Sequence, residues 1–272
     1  MTSRTPDDAA LLAHLVEGAG PACLLLNGGL MSLRAWDPVA APLAGRFRVI
    51  RCDLRGQLLS PGLVPATIDG HADDLAALLD AVGADRVHVA GTSMGAFVAT
   101  AFAARHRDRT RSLVAMTATD RITDEMWVAA AEVVDAAQAA AAGGDGGRVL
   151  DLLGPATFSE AFYARFAAQM AQRRAAIAAF PRPWFAALAD MLASLRGLDL
   201  RPYASRIHCP VLVMGAELDR TFPIECSHRL TAAFPDARLE IVAGAPHGMV
   251  VEQAAEVASR LAAFWSTIEA GS

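Results

Sequence analysis

The sequence predicts an α/β protein: a doubly wound, mainly parallel sheet of about seven or eight strands, interrupted by an all-helical insertion. Two observations carry this. Residues 1 to 121 and 206 to 272 alternate short apolar runs with helical patterns, whereas residues 122 to 205 read as helices only. A third is that three chemistry-bearing residues, Ser93, Asp219 and His247, each close a predicted strand. In an open parallel sheet such strand ends converge on one crevice.

Along the chain, PACLLLNGGLMSLRAW predicts a strand over Leu24–Leu26 and then a loop, Asn27-Gly28-Gly29-Leu30, ahead of a helix. VHVAGTSMGAFVATAFAARH follows, with Val87, Val89 and Ala90 in a short buried strand and Phe97, Val98, Ala101 and Phe102 at helical spacing. Between them lies GxSxG, formed by Gly91, Ser93 and Gly95. That pattern is common in loops, but a strand-to-helix turn makes it a nucleophile elbow, with the serine hydroxyl exposed and small flanking residues where backbone passes close. SLVAMTATD predicts another strand, ending before Asp120.

The insertion opens with TDEMWVAAAEVVDAAQAAAA, a helix capped by Thr123 and ended by the glycines of 143–147. Further helices are expected over 147–153, 158–178 and 183–195, with FPRPW as a break. Two strands then complete the sheet. Val211–Met214 leads into a loop with Asp219, and Leu239–Val242 leads into a loop with His247.

A serine hydroxyl is a poor nucleophile until an imidazole takes its proton and a carboxylate orients that imidazole. His247 is the candidate base, since the other six histidines fall within strands, on helices or away from strand ends. Asp219 is the first candidate for the acid, Asp120 the second and Glu217 the third. A tetrahedral intermediate also needs N–H donors, expected from the backbone of Met94 and of Gly29.

Composition narrows the function further. With 54% hydrophobic residues in 272, the chain has ample material for one core and an insertion. Mean hydropathy is high at +0.31, but alanine inflates it and no apolar run spans a bilayer. Asp7 and Asp8 precede a short apolar segment, which is not the pattern of a signal peptide. Four scattered cysteines without ligand spacing argue for reduced thiols and a cytoplasmic setting. A net charge of −5 without basic clusters argues against nucleic acid or anionic membrane. Every basic residue is arginine, so a P-loop, a Schiff-base lysine and a serine–lysine dyad are excluded. The expected partner is a small-molecule substrate, bound by a monomer or homodimer with no metal or cofactor.

Together, LLLNGGLMSLRAWDPVAAPLAGRFRVIRCDLRG, the elbow, and the acid and histidine loops in that order resemble the α/β-hydrolase superfamily over nearly the whole chain. The resemblance is to its small cap-bearing serine hydrolases, among them esterases and lactonases such as 3-oxoadipate enol-lactone hydrolase. It implies an α/β-hydrolase fold, a short or absent first strand and a helical cap, residues 122 to 205, inserted after the sixth strand. In such a cap Leu30 of the loop and Trp127, Phe162, Phe166 and Trp184 of the helices are candidates to line a substrate pocket. At helical spacing most cap residues instead pack the cap on the core. Arg173, Arg174 and Arg182 are candidates for a substrate carboxylate, with solvated surface charge the commoner role. The implied activity is hydrolysis of an ester or lactone, with carbon–carbon bond hydrolysis, lyase or cyclase chemistry and a ligand receptor as alternatives on the same fold. Two departures stand out. Asn27-Gly28 replaces the usual His-Gly, with Asn27 expected to bond the loop backbone, and Gln57-Leu58 replaces the His-Gly of DxRGHGxS.

Overall fold

A computed structural model describes residues 12–60, 62, 64 and 67–271. The segment containing Asp7 and Asp8 lies outside the described residues, as does Pro61. Seven strands form one sheet in the order β1-β3-β2-β4-β5-β6-β7. They are β1 (His14–Glu17), β2 (Ala22–Leu26), β3 (Arg48–Cys52), β4 (Val87–Thr92), β5 (Thr110–Met116), β6 (Val211–Ala216) and β7 (Ala237–Val242). Only β1, the short opening strand, runs antiparallel to its neighbour.

Helices cover both faces, which is why the interior strands β4 and β6 are buried along their whole length. Alternation along β2 divides the core: Leu24 and Leu26 join the layer of α2 (Ile68–Ala81) and α3 (Met94–Arg105). Cys23 and Leu25 face the opposite layer, with α1 (Asp37–Leu43) and the C-terminal helix, whose Trp265 is fully buried there.

The insertion contains α4 (Asp124–Ala141), α5 (Arg148–Thr157), α6 (Glu160–Arg165), α7 (Ala167–Ala178), α8 (Arg182–Ala193) and α9 (Arg201–Ala204). Thr123 caps α4 by accepting from the Met126 N–H. The single helix expected over 158–178 is two, because Phe166 leaves helical geometry (φ −114°, ψ 29°) and folds back on Phe162, ring centroids 4.7 Å apart. FPRPW is a helix start as much as a break, since Pro183 lies in the first turn of α8, where no donor is lost.

The two ends of the insertion meet. Ile122 N–H donates to Leu198 O at 2.8 Å and Leu200 N–H to Asp120 O at 2.8 Å, so a backbone neck closes the segment above the sheet. It follows the fifth described strand. A second attachment joins its middle to the loop after β7. Gly248 N–H donates to Thr157 O at 2.7 Å, and the Glu252 carboxylate accepts from the Ser159 N–H and hydroxyl, each at 2.7 Å.

No described helix is long and apolar enough to cross a membrane. The four cysteines are free, and burial raises their thiol pKa values, that of Cys209 to about 11. Helix α10 (Ile224–Ala233) precedes β7, and α11 (Met249–Glu252) and α12 (Ala254–Ala270) follow it.

Two buried histidines set an acid limit on the fold. Neither ring nitrogen of His71 in α2 meets a hydrogen-bond partner among the described residues, and His88 of β4 lies between Ser112 and Glu269. Burial lowers both pKa values to about 4, against the opposing pull of Asp74 and Glu269. The unfolded chain takes up these protons near pH 6.5 while the folded chain resists until about 4, so stability holds above 6.5 and declines as pH falls through that window. The slope is at most about 1.4 kcal/mol per pH unit for each histidine. We expect His71→Leu to flatten this acid limb in urea denaturation series; an unchanged slope would assign it elsewhere.

Candidate active site

The elbow is built by steric exclusion. A Cβ at Gly91 would overlap the Gly95 carbonyl, and one at Gly95 would overlap the Leu26 carbonyl and lie 2.6 Å from that of Asn27. Glycine at both positions therefore lets α3 descend onto β2 and β4. The serine between them takes φ 53° and ψ −121°, one of two non-glycine residues with positive φ among the described residues. Such a conformation costs roughly 1–3 kcal/mol and persists only where surrounding structure imposes it. Here Ser93 N–H donates to Met116 O at the end of β5, and Ser93 O accepts from Ala96.

The structure brings His247 and Asp219 together from the ends of β7 and β6. His247 Nδ1–H donates to Asp219, at 2.9 Å from Oδ2 and 3.1 Å from Oδ1. The Thr221 and Phe222 N–H groups, each 2.8 Å from Oδ1, hold the carboxylate in place. Its side chain is 1% exposed and that of His247 10%. The other acid candidates are engaged elsewhere: Asp120 pairs with Arg229 at 3.1 Å, and Glu217 accepts from the Gly244 N–H at 2.7 Å. With Nδ1 turned to Asp219, Nε2 is the free face of the imidazole. This imidazole and the elbow serine occupy the same edge of the sheet, as parallel strands require.

Both expected N–H donors are unoccupied. Met94 begins α3, where the first N–H groups have no partner within the helix, and neither its N–H nor that of Gly29 meets an acceptor among the described residues. Gly28 packs against the elbow, since a Cβ there would lie 3.6 Å from Ser93 Cβ.

Beneath this loop runs a buried polar network that the sequence reading did not anticipate. Asn27 does not bond the loop backbone as expected. Its amide donates to Asp53 Oδ1 at 2.9 Å and to Gln57 Oε1 at 3.0 Å, while its oxygen accepts from Trp36 Nε1 at 3.0 Å. Gln57 supplies the missing backbone contact through Nε2, which donates to Gly28 O at 2.8 Å. Asp53 also accepts from the N–H groups of Leu33 and Leu59. Burial raises the Asp53 pKa, and these donors oppose the rise. The two departures from the family pattern are thus one feature: Asn27 and Gln57 touch each other. Their pairing was the available signal, but thirty positions of sequence separate them.

A cavity of about 360 Å³ opens beside the loop, between it and helices α7 and α8. Of the sequence candidates, Gly29, Leu30, Trp184 and Arg173 line it, whereas Ser93, Met94 and His247 do not. Nor do Trp127, Phe162 and Phe166. Trp127 packs at the edge of the core under Arg196, and the two phenylalanines stack in series with Phe158. Met191, Leu188 and Ile177 complete an apolar wall. Among the described residues, no cluster of three or more side chains suited to a metal occurs.

Comparison with known proteins agrees with this architecture. The alpha/beta hydrolase fold family profile matches residues 21–254. The RutD protein of Caulobacter sp. strain K31, provisionally named a carbamate hydrolase, is 32% identical over 261 residues, covering 88% of this chain and 90% of its own. The pimeloyl-acyl-carrier-protein methyl ester esterase of Aeromonas hydrophila is 28% identical over 233 residues, covering 85% of this chain and 89% of its own. Among solved structures, the enol-lactonase of Burkholderia xenovorans LB400 superposes with a TM-score of 0.81 at 26% identity, covering 94% of this chain and 96% of its own.

Removing the hub of the polar network should be costly. Asn27→Ala leaves the Trp36 indole N–H, Asp53 and Gln57 each short of a buried partner, and an unsatisfied buried group costs about 1–3 kcal/mol. We expect a loss of about 2–4 kcal/mol in chemical denaturation; a change below about 0.5 kcal/mol would show that the network carries no stability.

Proposed function

The chain belongs to the α/β-hydrolase fold family, and from that premise we propose that it is a serine hydrolase cleaving an ester or lactone of a small, largely apolar substrate through an acyl-enzyme. The observation that carries this reading is the pairing of His247 with buried Asp219 at strand ends on the same edge of the sheet as the strained Ser93. The two N–H groups without acceptors, Gly29 and Met94, complete it.

In this mechanism Ser93 Oγ attacks the substrate carbonyl as His247 Nε2 takes its proton, while Asp219 keeps the imidazole oriented and stabilises its charged form. Negative charge that develops on the carbonyl oxygen faces the N–H groups of Gly29 and Met94. Collapse of the tetrahedral intermediate expels an alkoxide, which receives the proton from His247. A water then attacks the acyl-enzyme as His247 takes its proton, and breakdown returns that proton to Ser93 with release of the acid. In a lactone the alkoxide and the acid remain parts of one product. The apolar wall of the cavity beside Gly29 suits the apolar part of such a substrate.

A second reading rests on the similarity to the RutD protein: a carbamate presents the same carbonyl to the same serine and differs in its leaving group. Turnover of aryl esters, lactones and carbamates, measured side by side, decides between them. For whichever substrate is cleaved, Ser93→Ala and His247→Ala should lower kcat by roughly 10⁴-fold or more, and Asp219→Asn by roughly 10³–10⁴-fold. Covalent labelling of Ser93 by a phosphonate, without turnover of any of the three classes, would instead favour a ligand receptor or a non-hydrolytic reaction. Normal turnover by Ser93→Ala would overturn the acyl-enzyme.

A further inference from the structure

The cavity beside Gly29 carries an unusual charge for this chain. The protein has a net charge of −5, yet two arginines and no carboxylate line the cavity: Arg34 at its exposed rim and Arg173 on α7. The neighbour of Arg173 shows what α7 does with an ordinary surface arginine. Arg174 forms ion pairs with Asp145 at 2.6 Å and Asp151 at 2.8 Å. Arg173, half-buried one position away, has no ion pair and no hydrogen-bond acceptor among the described residues. Its guanidinium rests on the Phe158 ring, 5.8 Å from the centroid. That ring packs on Gly248, the residue after His247, where a Cβ would lie 3.0 Å from it. Arg173 therefore stands between the candidate oxyanion loop and the histidine loop.

A guanidinium is planar, permanently charged and carries five N–H donors; the Phe158 ring attracts its charge but accepts no hydrogen bond in its plane, so half-desolvation leaves those donors unmet at a cost. Burial lowers its pKa from the ordinary arginine value, opposed by nearby Tyr163 and by no carboxylate. Such a group is satisfied when an anion enters the cavity, and a carboxylate matches its two parallel donors.

We propose that Arg173 is the docking group for a substrate carboxylate, and that the natural substrate is an ester or lactone bearing a free carboxylate, held in the cavity beside Gly29. The assignment rests on the serine-hydrolase reading for its chemistry and on the cavity for its ligand. Arg34 at the rim draws the anion inward, and Met191, Leu188 and Trp184 surround the apolar chain between carboxylate and carbonyl.

The test compares monomethyl succinate, glutarate and adipate with the matching dimethyl esters, in which the same carboxylate is capped. For at least one chain length we expect kcat/KM to favour the monomethyl ester by about tenfold or more, mainly through KM, since a hydrogen-bonded charge pair lost from one side weakens binding by that order. The preference should collapse in Arg173→Met and in Arg173→Gln and return in part in Arg173→Lys. Equal or better turnover of every dimethyl ester by the unaltered protein, or a preference that survives both Arg173→Met and Arg173→Gln, would overturn the proposal. Binding separates its failure from failure of the hydrolase reading. Calorimetric titration of Ser93→Ala protein with succinate, glutarate and adipate should show at least one dicarboxylate bound, with affinity lost when Arg173→Met is added. Absence of binding, or binding indifferent to Arg173→Met, refutes the docking role even if esters are cleaved.

Discussion

The closeness with which α3 descends onto β2 is the constraint on which the rest of the structure depends. At Gly91 and Gly95 even a Cβ would hold these elements apart, and at Gly95 the carbonyls of Leu26 and Asn27 occupy the space it would need. Once the helix is seated there, the serine between the glycines is forced to positive φ, and the first N–H of α3 is left without an acceptor at the edge of the sheet. The same contact brings the Gly28 backbone against Ser93. Nucleophile, donor and loop thus share one steric cause rather than three separate adaptations.

The parts of this arrangement that obey local rules are legible in the sequence. Interior parallel strands are buried on both faces and read as continuous apolar runs, as Val211–Met214 does within β6, and their ends are where functional side chains gather. That placement ranks Asp219 ahead of Asp120 and Glu217, and of the three it is Asp219 that hydrogen-bonds His247. What was not legible depends on contacts between distant segments. Asn27 and Gln57 each look like a lone departure from a pattern. Only folding shows that Gln57 has taken over the backbone contact expected of Asn27. The insertion hides its details for a related reason. Its aromatic residues share helical spacing whether they pack on one another, as Phe162 and Phe166 do, or face the cavity, as Trp184 does.

Charge is distributed to complement this geometry. The acidic groups of the insertion lie outside, where Asp145 and Asp151 neutralise Arg174, while the cavity wall keeps its positive charge unopposed. On the core side the carboxylate that meets the imidazole is almost wholly shielded from solvent. An anion that enters the cavity therefore meets a field set by arginine, and the negative charge of Asp219 is already committed to His247.

The neck at Asp120–Ile122 and Leu198–Leu200 has an evolutionary consequence. A segment whose ends meet within hydrogen-bonding distance asks of the sheet only that a short gap be bridged, and the entropy of closing a loop rises slowly with its length. The helices between those ends can be lengthened, replaced or reshaped by drift while the strands below keep their register. The attachment at Thr157 and Ser159 restrains this freedom, because it ties the exchangeable part to the segment that follows the histidine. Diversification of such a molecule is channelled accordingly: new shapes arise in the helices, and those that keep the attachment leave the chemistry beneath undisturbed.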